Sequence, residues 1–160
     1  MVMTSIISNL PNYSPEILLV LTSVILLWLQ QYVLLVVYHL GYIGNNMLNR
    51  IFKRWIQPHS RVNDINTMPS GHAEKIYYSF GFIVCVILRS FKLFVKNNTF
   101  STLRIFIWSI LSIYLFISLF ASGYYIINKY HTFEQVIIGA IIGLCIGLIT
   151  YIAGKLLYKL

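Results

Sequence analysis

Four stretches of this chain are long and apolar, and they limit its fold more than any other feature. They run from Glu16 to Leu40, from His72 to about Phe94, from about Leu103 to Ile127, and from Phe133 to Leu157. A helix needs about 20 consecutive apolar residues to cross a hydrocarbon core, and it survives there because its backbone groups bond within the segment. Each run has that length, so the sequence predicts an all-α, polytopic transmembrane bundle of about four to six helices. The first run is ambiguous. It is either one tilted span, or it turns at Gln30-Gln31 and a second span begins near Tyr32 and continues through the polar-studded stretch from Gly41 to Trp55.

The charge content agrees: 10% of residues are charged, against roughly a quarter in a soluble domain. Residues 1–15 read as a mixed N-terminal segment with no removable signal, and 16–160 as one integral membrane domain. The net charge of +8 comes from basic residues in loops and helix ends, with no dense aromatic-interleaved patch, which excludes nucleic acid as a partner. Cys85 and Cys145 lie mid-run, so neither a disulfide framework nor metal-ligand spacing is present. Gly139, Gly143 and Gly147 repeat every four residues in the last run, a small-residue stripe that lets two helices press together in lipid. A homo-oligomer is compatible with this composition.

Alternation of the runs places three polar clusters, 53–61, 70–75 and 129–135, at one membrane face. Arg89, Lys92, Lys96, Arg104, Lys155 and Lys159 collect at the other, which the positive-inside rule makes cytoplasmic. Polar groups therefore gather at one end of the spans. A channel or transporter would carry them through the middle.

Within those clusters, Met68-Pro69-Ser70-Gly71-His72-Ala73-Glu74 reads as an anion cradle. Ser70 offers a hydroxyl, Gly71 permits close approach, and the first N–H groups of the following helix favour negative charge. The same residues also make an ordinary turn. His72 adds a proton carrier. His131 and Gln135 stand at i and i+4, so on a helix the amide oxygen could accept the imidazole N–H and fix its tautomer. Two histidines, several cations and few carboxylates suit an anion better than a metal, so no metal or other cofactor is expected. A blander assignment also fits: Lys53, Arg54 and Arg61 as headgroup anchors, and Tyr124, Tyr125 and Tyr130 as an aromatic belt.

Taken together, Asn49-x3-Lys53-x2-Ile56-Gln57, Met68-Pro69-Ser70-Gly71-His72 and Tyr130-His131-Thr132-Phe133-Glu134-Gln135-Val136 resemble the motifs of the type-2 phosphatidic acid phosphatase superfamily. The resemblance is to its dolichyl-diphosphatase branch, where Gln replaces the Asp of the wider family, and it covers roughly residues 40 to 150. It implies that His131 is the nucleophile that becomes a phosphohistidine, that His72 protonates the leaving lipid phosphate, and that Gln135 orients His131. It also implies that Lys53, Ser70 and the Gly71 N–H hold the phosphoryl oxygens. The substrate would be an isoprenoid or glycerolipid phosphate, met at the lumenal or outer face of the endoplasmic reticulum membrane in a eukaryotic or viral setting, or of the plasma membrane in a bacterial one.

Two departures stand out. The Arg-Pro of the first motif should fall at Ser60-Arg61, so the arginine is displaced by one position and the proline is absent. The Ser-Arg of the third motif should fall at Tyr124-Tyr125, which leaves Lys129 as the nearest cation, joined by Arg61 or Arg54 if they compensate. Lysine gives a point charge where arginine gives a planar fork. Losing a transition-state cation commonly costs orders of magnitude in rate. A catalytically impaired relative that binds lipid phosphate or scaffolds other membrane proteins is therefore the alternative.

Overall fold

The computed structural model describes residues 11–56, 69–95 and 100–157, and every regular element among them is a helix. In chain order these are α1 (Ser14–Trp28), α2 (Tyr32–Ile56), α3 (Gly71–Val95), α4 (Phe100–Ile127) and α5 (Phe133–Leu157). Within them, Ile107–Ile127 and Phe133–Leu157 are long and apolar enough to cross a membrane.

The first apolar run divides at the glutamines. Gln30 takes a left-handed φ of 54°. Its N–H bonds to Leu27 O and that of Gln31 to Leu26 O, both at 2.9 Å. These are the paired bonds of a Schellman turn, which satisfies carbonyls that the ended helix leaves open. At 15 residues, α1 is about 22 Å long, short of the roughly 30 Å of a hydrocarbon core. The left-handed position normally takes glycine, since a side chain there costs about 1 kcal/mol. Gln30→Gly should therefore raise the unfolding midpoint in detergent, a gain worth up to about 1 kcal/mol; an unchanged or lower midpoint would count against this turn.

α3 is the hub and packs against the other four helices, most extensively against α5. The reason lies in the glycine stripe. A Cβ on Gly139 would stand 2.6 Å from Ser70 O, one on Gly143 would be 2.9 Å from Tyr78 N, and one on Gly147 would be 3.0 Å from Phe82 N. The two backbones meet with no side chain between them, which is how small residues bring helices together. Polar locks join the other helices: Tyr38 and Ser79 share a hydroxyl bond of 2.7 Å, Tyr78 donates to Tyr38 O at 2.7 Å, and Thr22 meets Tyr114 OH at 2.7 Å. Large apolar side chains such as Trp108, Phe116, Ile141 and Ile149 face outward, while Thr22, Asn45, Asn49 and Glu74 are buried.

Candidate active site

The close contact of α3 with α5 sets two turns side by side. Ser70, just before α3, donates its backbone N–H to Gln135 O on α5 at 3.2 Å. That one bond ties the Pro-Ser-Gly-His turn to the His-Thr-x-x-Gln turn.

Each turn is held by its own helix cap. Ser70 Oγ accepts the Ala73 N–H at 3.4 Å, the N-cap bond of α3. Ser70 is fully buried, so its hydroxyl is first a capping group. Gly71 opens the helix over Asn49, whose Oδ1 would lie 3.2 Å from a Cβ at that position. The first N–H groups of α3 have no acceptor within the helix, and the dipole makes its end positive.

At α5 the cap is reciprocal. Thr132 Oγ1 accepts the Gln135 N–H at 3.3 Å, and Gln135 Oε1 accepts the Thr132 N–H at 2.9 Å. This is a capping box. Because a backbone N–H donates to Oε1, the orientation of the amide is settled, and the same Oε1 lies 3.3 Å from His131 Nδ1. Nδ1 must therefore carry the hydrogen, which leaves the Nε2 lone pair available. His131 is buried. Burial pushes it below the ordinary histidine value, the Gln135 bond pulls it back in part, and the Lys53 charge lowers it further. The imidazole is held neutral, the form in which it is a nucleophile.

The end of α4 delivers His131 to this position. Lys129 takes φ 59°, its N–H bonds to Ile126 O, and that of Tyr130 bonds to Tyr125 O, both at 3.0 Å. This second Schellman turn also lacks glycine. The His131 N–H then bonds to Tyr125 O at 3.2 Å. The side chain of Lys129 is exposed.

His72, exposed in the first turn of α3, has its ring centroid 6.5 Å from that of His131. One tetrahedral group could touch both. Lys53 is half-buried in the last turn of α2. Thus His72, His131 and Gln135 come together with Ser70 and Gly71, the charge of Lys53 reaches His131, and Lys129 is exposed two residues before His131. Arg61 lies outside the described residues. Among the described residues no cluster of three or more His, Cys, Asp or Glu side chains is placed to hold a metal.

Three residues that had no assigned role in the site pack against it. Tyr125, expected in an aromatic belt, is buried with its ring 4.9 Å from His72 and 5.8 Å from His131. Asn49 and Glu74 are buried and joined by a bond from Asn49 Nδ2 to Glu74 Oε2, so they brace the Gly71 turn from behind. Asn45 and Asn49, four apart and so on one face of α2, were the available signal that a polar face of this helix is buried.

Gln135→Leu removes both the cap bond and the His131 acceptor. The expected result is a loss of about 10²-fold in any reaction that His131 performs, whereas Gln135→Glu, which keeps the acceptor, should retain more. Equal activity of the two variants would contradict the orienting bond.

No curated protein and no solved structure matches this chain. A family comparison does: the PAP2 superfamily matches residues 31–158, taking in both histidine turns and the helices that carry them. The chain belongs to the PAP2 superfamily, a helical family whose members are phosphatases acting on lipid phosphates.

Proposed function

We propose that the protein is a multi-pass membrane phosphatase that hydrolyses an isoprenoid diphosphate of the dolichyl type, or a related lipid phosphate, through a phosphohistidine. The observation that carries this reading is the pairing of His72 with a buried His131 whose Nδ1 is committed to Gln135. The outward-facing apolar side chains and inward-facing polar ones support the membrane setting.

In the first step His131 Nε2 attacks the terminal phosphorus. The bond from phosphorus to the leaving oxygen breaks, its electron pair stays with the lipid phosphate, and the proton comes from His72, which takes it up from solvent as the phosphate anion binds beside it. In the second step water attacks the phosphohistidine, His72 takes the water proton, the nitrogen–phosphorus bond breaks, and inorganic phosphate leaves. Lys53 and the first N–H groups of α3, from Gly71, hold the phosphoryl oxygens while Ser70 shapes their turn. Lys129, exposed two residues before His131, adds positive charge to the same turn. Fixed donors aimed at the equatorial oxygens do most of the work in phosphoryl transfer. No step needs a metal. The site would open to the lumenal or outer face, at the endoplasmic reticulum or the plasma membrane according to the host.

The test is phosphate release by purified protein in detergent, with a chelator present, from an isoprenyl diphosphate and from phosphatidic acid. Release that survives the chelator and favours the isoprenyl substrate is expected; release that stops with the chelator would contradict the mechanism. A second reading, a lipid-phosphate binder or scaffold without turnover, is favoured by the buried tyrosine at position 125 in place of a cation. Binding of both lipids with no release from either would select it.

A further inference from the structure

Tyr125 makes more contacts with the two histidines than any role in a belt would require. Its carbonyl oxygen accepts the His131 N–H at 3.2 Å and the Tyr130 N–H at 3.0 Å. Its ring lies 4.9 Å from the His72 ring at 37°, and 5.8 Å from the His131 ring at 53°. The two imidazoles are themselves 6.5 Å apart, so the phenol ring packs against both members of the pair.

The hydroxyl end of the same side chain leaves the site. It donates to Pro11 O at 3.1 Å and lies 3.3 Å from Asn12 Oδ1. Pro11 O also accepts the Ser14 hydroxyl at 2.6 Å and the Ser14 N–H at 3.2 Å. That oxygen is therefore the centre of the turn that opens α1. One buried residue thus touches the histidine of α3, the histidine ahead of α5 and the turn ahead of α1.

We infer that Tyr125 is a positioning residue of this site, beside Gln135: its ring sets the spacing and tilt of the His72 and His131 imidazoles, and its hydroxyl fastens that pair to the turn before α1. The inference rests on the reading that these histidines do the chemistry. The physical basis is stiffness. A phenol ring has two side-chain torsions, and this one is fixed at its far end by a hydrogen bond. A long cation would be free to swing. Imidazoles that must act on opposite sides of one phosphorus lose rate steeply when either drifts by about 1 Å.

His131 is faced by Lys53 from α2, His72 from α3, Tyr125 from α4 and Gln135 from α5. Replacing the Tyr125 ring with the smaller leucine side chain therefore opens space for water beside the His131 imidazole and leaves its polar neighbours in place. That difference gives a readout which does not depend on activity.

The experiment compares wild type, Tyr125→Phe and Tyr125→Leu, each purified in detergent and shown to be folded by circular dichroism and gel filtration. Phosphate release is measured per folded molecule, and the titration of His131 is followed by NMR on protein carrying labelled histidine, its signal assigned by comparison with His131→Gln. Tyr125→Leu should lower kcat by about 10²-fold with little change in KM, and should move the His131 titration upward toward the ordinary histidine value. Tyr125→Phe keeps the ring and loses one hydrogen bond, so kcat should fall by no more than about tenfold and the titration should stay in place.

An unmoved His131 titration in Tyr125→Leu would overturn the inference, as would an unchanged kcat in a folded Tyr125→Leu protein. If wild type releases no phosphate, the reading of the site as a phosphatase falls, and the titration alone decides whether Tyr125 positions the pair.

Discussion

His131→Ala should reduce phosphate release from a lipid diphosphate by at least about 10³-fold while leaving the protein folded. Removing a nucleophile commonly costs at least this much, because the remaining groups only bind and polarise. The imidazole makes one side-chain hydrogen bond that the structure records, to Gln135, which keeps its second partner in the Thr132 N–H when the ring is gone. The loss should therefore fall on kcat. His131→Ala protein should still bind the lipid phosphate through Lys53 and the start of α3. The pH profile should follow from the same geometry. Burial holds His131 below its ordinary value, near 6.5, so protonation should begin to stop the reaction only at a pH below that value. An acid limb centred above 6.5 would contradict a buried, neutral nucleophile.

Gly143→Val should have the second large effect, on stability and activity together. A Cβ at position 143 would enter the Glu74 carbonyl and stand 2.9 Å from both Glu74 C and Tyr78 N. These are backbone atoms of α3, so no rotamer change can make room and α5 must move away. Overpacking of this kind costs about 1–3 kcal/mol or more. The movement should also break the bond from the Ser70 N–H to Gln135 O, the link between the two histidine turns. Gly44→Ala and Gly123→Ala are the controls. Nothing lies within 4 Å of a Cβ at either position, and alanine favours a helix by up to about 1 kcal/mol. A melting curve and a release assay on the three variants would check this; a Gly143→Val protein as stable and as active as wild type would refute the packing account.

Much of this architecture was legible in the sequence, because its signals were local. The apolar runs fixed the helices, and the four-residue glycine spacing marked the face of α5 that meets α3. His131 and Gln135 do meet, but through the cap, because His131 lies two residues ahead of α5 and not on it. The break at Gln30 could be named only as an alternative, because the left-handed residue that ends α1 is a glutamine, and the usual glycine signal is absent there and at Lys129. Tyr125 was misplaced for a different reason. An aromatic residue near the end of an apolar run reads as interfacial, and only the Schellman turn at Lys129 folds the chain back so that this ring meets two histidines. Glu74 and Asn49 were unreadable as a pair because their bond joins residues 25 apart on different helices.

The most direct test of the central claim is to trap the covalent intermediate. Protein mixed with a terminally labelled isoprenyl diphosphate and quenched in alkali within the turnover time should carry label that is acid-labile, base-stable and located on the peptide containing His131. His131→Ala should carry none. Labelled wild-type protein with the phosphate on another residue, or rapid release with no covalent label at any time, would contradict the account.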